Sequence, residues 1–154
     1  MKVKYNDLVI EQVDKKLHAF SVLKDVQRPP DGWVHAIRSG MKMSLRQLGN
    51  RLSVSPQSIK ELETRERAGN VTLDALDKAG KAMNMRLVYG FIPEDGSINE
   101  MIAHRARAVA TQVVKRTHMT MKLEGQENSE ERIARAIDEL TEELKREMPR
   151  YLWD

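Results

Sequence analysis

Apolar stripes at helical spacing fill most of the chain, and short breakers divide them. Ile10, Val13, Leu17 and Phe20 share one face of a helix, which predicts an amphipathic helix within residues 6–26. Arg28-Pro29-Pro30-Asp31-Gly32 ends it, because two prolines and a glycine cannot continue a helix. Four short helical patterns follow between Trp33 and Met85. The first covers Trp33–Arg38. The second covers Ser44–Leu52 and opens on Ser44-Leu45-Arg46-Gln47, a capping box in which each end residue satisfies an amide of the other. The third opens on Ser55, with Pro56 at the first helical position, where a missing N–H costs nothing. The fourth opens on Thr72 and turns Leu73, Leu76, Ala79 and Met83 inward.

The period then changes. Met85-Arg86-Leu87-Val88-Tyr89-Gly90-Phe91-Ile92 is β-rich and stops at Pro93. A single strand is not stable alone, and the chain holds no second strong strand. The economical partner is the same strand of a second copy, so Leu87, Val88, Tyr89, Gly90, Phe91 and Ile92 are expected to pair across a two-fold axis. Beyond them Ile98, Ile102, Ala106, Val109 and Val113 form another stripe. Glu124-Gly125-Gln126-Glu127-Asn128 breaks it, and Ser129 opens a last helix with Ile133, Ile137, Leu140 and Leu144. The expectation is an all-α fold with one short dimerising β-strand. It divides into an N-terminal helix (1–28), a core plus strand (29–93) and a C-terminal helical region (94–154).

Charge sharpens this division. The net charge is +3 over 154 residues. Residues 38–67 hold seven Lys/Arg against three Glu, and residues 101–123 hold five Lys/Arg and no acid. Residues 124–154 hold ten acids against five bases. A basic middle and an acidic tail suit a nucleic-acid binder whose tail has a separate task. Arg105, Arg107, Lys115 and Arg116 are placed either to follow DNA phosphates or to meet the acidic last helix.

Several function classes lose support. The absence of cysteine removes disulfides and thiolate metal sites. His18, His35, His104 and His118 lack ligand spacing, and no glycine-rich phosphate loop exists. The pairs Glu130-Glu131 and Glu142-Glu143 lie on a charged, solvated helix face. No enzyme activity, cofactor or metal is expected. No apolar run approaches the roughly 20 residues needed to cross a bilayer, and the N-terminal stretch lacks a signal-peptide core, so the expectation is a cytoplasmic protein without a membrane partner.

The second and third core helices carry the candidate chemistry. A tight turn at Ser53-Val54 joins them, with apolar residues only on the facing sides, the pattern of a helix-turn-helix. Ile59 and Leu62 point inward. Gln57, Lys60, Glu61 and Thr64 point away, with Ser58 on the flank. These residue types match base edges: Gln pairs doubly with adenine, Lys reaches guanine, Glu accepts from cytosine, and Thr offers a methyl to thymine. Ser44, Arg46, Ser55 and Arg65 are the candidate phosphate contacts beside that face.

Residues 33–84, through SLRQLGNRLSVSPQSIKELE and TLDALDKAGKAMNM, resemble the helix-turn-helix of phage repressors and Xre-type regulators. The resemblance implies base reading at Gln57 and Ser58, a buried acid at Glu63 and an arginine partner at Arg38. Two positions depart from that pattern: Gly49 stands for the usual alanine, and Ser53 for the usual turn glycine. The whole chain resembles the narrower "mobile mystery protein A" family of mobile-element regulators. The carrying segments are RPPDGWVHAIRSGMKMSLRQLGNRLSVSPQSIKELE, RLVYGFIP, MIAHRARAVA, His118-Met119-Thr120-Met121-Lys122-Leu123-Glu124 and Leu152-Trp153. Members are typically encoded beside a Fic/Doc-domain protein. This implies an autorepressor or antitoxin role with a Fic-domain partner. The homodimer expected from the strand would bind a pseudo-palindromic double-stranded DNA operator at the bacterial nucleoid. The alternative is an antitoxin that blocks a partner enzyme directly through its N- or C-terminal helices. For the first helix, dimer packing, core lid and partner site stand equal.

Overall fold

The computed structural model describes residues 5–123 and 129–154. The expected break at Glu124-Gly125-Gln126-Glu127-Asn128 lies outside the described residues. Seven α-helices appear among those described: α1 (Tyr5–His18), α2 (Trp33–Gly40), α3 (Leu45–Leu52), α4 (Pro56–Ala68), α5 (Leu73–Ala82), α6 (Ile98–Leu123) and α7 (Glu130–Glu147). Short 3₁₀ turns occur at Ser21–Leu23 and Arg150–Trp153. No helix is long and apolar enough to cross a membrane among the described residues.

The chain forms two compact units. One comprises residues 25–90, the other residues 1–24 together with 91–154.

In the 25–90 unit, Val34, Leu48, Ile59, Leu62, Ala79 and Met83 form the core. The starts of α3, α4 and α5 are fixed locally. The Ser44 hydroxyl accepts from the Gln47 amide at 3.1 Å, and the Gln47 side chain accepts from the Ser44 amide at 2.8 Å. Ser55 and Thr72 accept from the amides of Ser58 and Ala75, each at 3.1 Å. Every such cap removes one unpaired amide and is worth about 1 kcal/mol.

In the other unit α6 and α7 pack as a helical hairpin with α1 against α6. Ala106 and Ala110 are fully buried where the helices meet, so small side chains let the backbones approach. Asp14 of α1 caps α6: its carboxylate accepts from the amides of Ile98 at 2.7 Å and Asn99 at 3.3 Å. A carboxylate there also faces the positive end of the helix dipole. Leu152 of the C-terminal turn is fully buried in the same core. Arg105 donates to the carbonyls of Leu152 and Asp154, and Arg107 pairs with Asp138 at 2.8 Å, while Lys115 and Arg116 stay exposed.

Several sequence expectations are corrected. Leu73, expected to face inward, is 48% exposed at the first position of α5. The first helix ends at His18, not beyond Phe20. The Ser21 hydroxyl takes the His18 carbonyl at 2.7 Å and turns the chain into a 3₁₀ segment. In α6, Val113 is exposed and the core instead takes Ala110 and, in part, Val114. The expected stripe recurs slightly more slowly than the helical turn, so it drifts around a helix of 26 residues. Finally, no β-strand occurs among the described residues. Leu87, Val88, Tyr89, Gly90, Phe91 and Ile92 are non-helical but pair with no other segment. Composition favours a strand here, yet a strand exists only by its ladder, and the described residues offer none.

Candidate nucleic-acid interface

The α3–α4 pair depends on two unusual backbone positions. Ser53 ends α3 in the left-handed region, at φ 56° and ψ 39°. A serine there carries steric cost that glycine avoids. Gly49 is buried, and a Cβ on it would lie 2.7 Å from the Val54 carbonyl oxygen. The turn backbone therefore passes directly over α3, and alanine at position 49 would force it to shift.

The inner face of α4 carries Ile59, Leu62, Glu63 and Glu66, all buried. The two acids fasten α2 at both ends. Glu66 accepts from the amides of Trp33 at 2.7 Å and Val34 at 3.0 Å, which caps the start of α2. Gly32, at φ 87°, has no side chain because a Cβ would sit 2.8 Å from the Glu66 carboxyl carbon. Glu63 receives Arg38 through two bonds, Nε at 2.5 Å and Nη2 at 3.2 Å, and His35 Nδ1 lies 2.9 Å away. Arg38 also donates to the Met43 carbonyl at 2.8 Å. Burial is the largest influence on the Glu63 carboxyl and pushes its pKa up. The hydrogen bonds from Arg38 and His35, with their charges, outweigh it and hold the pKa below its ordinary value.

The end of α4 is equally well tied. Gly69 adopts φ 79° and its amide returns to the carbonyls of Arg65 and Glu66. Arg28 donates to the carbonyls of Glu66 at 2.9 Å and Arg67 at 3.3 Å. Arg28, Gly32, His35 and Glu66 were not singled out in the sequence as a working set. The Arg28–Gly32 run reads only as a breaker, and nothing local marks a main-chain carbonyl 38 residues after Arg28 as its target.

The outer face of α4 is different. Gln57, Ser58, Lys60, Glu61 and Thr64 are all exposed, as are Ser44, Arg46, Ser55 and Arg65. Gln57, Lys60, Glu61, Thr64 and Arg65 come together around one shallow concavity of about 290 Å³. Gln57 Nε2 lies 3.5 Å from a Glu61 carboxylate oxygen, at the outer limit of a hydrogen bond, so its amide stays available. Thr64 donates its hydroxyl to the Lys60 carbonyl at 2.9 Å, which leaves its methyl and an oxygen lone pair for a partner. Ser58 is drawn aside to Ser55, their hydroxyls 2.9 Å apart. Ser44 and Arg46 stand apart from this concavity, at the start of α3. Among the described residues no cluster of His, Asp or Glu has metal-site geometry. Comparison of the chain with protein-family models, with curated proteins and with solved structures finds no match in any of the three.

Proposed function

We propose that this chain is a sequence-specific DNA-binding regulator of the helix-turn-helix type. In this reading α3 and α4 are the two helices of the motif, and α4 enters the major groove. One observation carries the proposal. The buried face of α4 carries Glu63 and Glu66, which fasten α2, while its exposed face gathers Gln57, Lys60, Glu61, Thr64 and Arg65 without an apolar side chain among them. A helix held rigidly from behind, with short polar groups in front, meets the needs of direct base readout. Ser44, Arg46, Ser55 and Arg65 hold phosphates beside it. The unpaired run 87–92 joins two copies across a two-fold axis, so the dimer reads a pseudo-palindrome with half-sites about 34 Å apart or a multiple. The resemblance to the "mobile mystery protein A" family supports an autorepressor or antitoxin role beside a Fic-domain partner in the bacterial cytoplasm.

A binding titration against cognate and scrambled duplexes at several salt concentrations tests the proposal. Gln57→Ala is expected to lose about 1–3 kcal/mol on the cognate duplex only, with relaxed preference at one base pair. Arg46→Ala is expected to weaken binding to both duplexes and to lower the salt slope by about one counterion. Equal loss on both duplexes for Gln57→Ala would remove base reading from this face. The second reading, direct inhibition of a partner enzyme, draws on α1, where Leu8, Val9 and Val13 are exposed. A pull-down with the product of the neighbouring gene, using full-length chain, separates the two.

A further inference from the structure

Residues 101–123 of α6 hold five Lys/Arg and no acid, and the fold divides those five cations. Arg105 donates to the carbonyls of Leu152 and Asp154, and Arg107 pairs with Asp138, so two are engaged internally. The side chains of Lys115, Arg116 and Lys122 are exposed and have no ion pair or hydrogen bond among the described residues. Lysines on three other helices meet an acid about one turn away: Lys15 with Glu11 on α1, Lys78 with Asp74 and Lys81 with Asp77 on α5, and Lys145 with Glu142 on α7. Such pairs cancel the field of a solvated face. The C-terminal half of α6 carries no acid to do so.

We infer that Lys115, Arg116 and Lys122 hold phosphates of double-stranded DNA, as a second contact outside the 25–90 unit. The inference rests on the DNA-binding reading above and deepens it by adding a contact that is blind to sequence. Position on the helix supports it. At 3.6 residues per turn, Lys115 and Lys122 lie about 180° and 160° around α6 from Ala106. Ala106 is fully buried, so both lysines point away from the core. Seven positions separate them, about 10.5 Å along the axis at about 1.5 Å per residue. Arg116 extends the charge around one flank. Duplex DNA carries one negative charge per about 1.7 Å of its axis, so cations spread over that length reach several phosphates and release their counterions. Met119 and Leu123 are exposed beside the cations, at 66% and 89%. They meet the sugars between the phosphates, which backbone contacts also cover. An anionic bilayer fits less well. A helix that lies on a membrane immerses its apolar face. The apolar face of α6 is already taken, since Ile102, Ala106 and Ala110 share a core with Ile137 and Leu144 of α7.

The test is a titration of the full chain with a short duplex of arbitrary sequence at several salt concentrations, which needs no operator. Lys115→Gln, Arg116→Gln and Lys122→Gln together are expected to weaken binding about tenfold or more. The salt slope is expected to fall by about two to three counterions, because each lost phosphate contact removes about 0.9. Gln has nearly the helix propensity of Lys and Arg, so circular dichroism is expected to stay unchanged. Lys115→Arg, Arg116→Lys and Lys122→Arg together keep the charge and are expected to keep the slope. The chain contains no cysteine, so a single engineered thiol carries an unambiguous label. A photo-crosslinker on Lys122→Cys is expected to capture the bound duplex, and the same label on Glu139→Cys, exposed on α7, is not. A parent chain that binds no duplex overturns the DNA-binding reading and this inference with it. A triple Gln variant with the parent's affinity and slope overturns the α6 contact alone and leaves the DNA-binding reading to α3 and α4. Equal capture from positions 122 and 139 overturns the α6 contact as well. Triple Gln loss of binding to phosphatidylserine vesicles, with duplex binding unchanged, assigns the face to a membrane surface and overturns it too.

Discussion

On the inner side of α4, Glu63 and Glu66 have almost no solvent and a full set of partners. On the outer side, Gln57, Lys60 and Glu61 are exposed and bound to little. The same helix therefore spends polar residues in two ways. Inside, a carboxylate is valuable only because two donors converge on it, and removal of one member strands the others. Outside, a polar group is surrounded by water and its loss leaves nothing stranded. The contrast teaches that residue type says little about importance to the fold, whereas the number of buried partners says much.

The sharpest way to break this contrast is Glu63→Ala, which leaves Arg38 nearly buried without its counter-charge. We expect a loss of about 3–5 kcal/mol in chemical denaturation. Unchanged unfolding would mean that the Arg38 guanidinium finds water or another acceptor. Glu66→Ala removes the cap of α2 without stranding a cation. It is expected to cost about 2–3 kcal/mol, less than Glu63→Ala, because two neutral amides are left behind. If Glu66→Ala proves the worse of the two, the clamp on α2 works chiefly through its cap and not through the arginine.

Acid offers a third test. The Glu63 pKa is lower in the folded chain than its ordinary value of 4.5. Its contribution to stability is therefore complete above that value and is lost as pH falls through the lower folded value. Melting temperature of the parent is expected to drop across this acidic window, and Glu63→Gln is expected to flatten that part of the profile. A profile with the same slope in both chains would move the titration to another carboxylate. The smallest effect belongs to the outer face. Gln57→Ala is expected to change folding stability by less than about 0.5 kcal/mol in chemical denaturation. A larger change would give the outer face a structural task and weaken its assignment to DNA.

Much of the helical architecture is legible in the sequence because its signals are local. Ser44, Ser55, Thr72 and Ser129 each bond an amide three residues on, and each stands at the start of a helix. The polarity of α4 is legible for the same reason, since a helical period assigns faces. What it does not assign is the partner of a face. Glu66 looks like one more charge in the run Thr64-Arg65-Glu66-Arg67, yet it is among the most buried polar residues. Its partners are amides 32 and 33 positions earlier. Asp14 likewise looks like a solvated acid, and caps a helix that begins 84 residues later. The run 87–92 shows the opposite limit. Composition declares its preference for a ladder, but no partner for one lies among the described residues.

The two-ended grip on α2 also bears on the order in which the molecule acquires structure. A helix of eight residues is too short to persist in water by itself, where about 12–15 are needed. Its stabilising carboxylates arrive 25 to 33 residues later in the chain. During synthesis α2 therefore emerges before the residues that hold it, and gains its structure only when α4 has left the ribosome and docked.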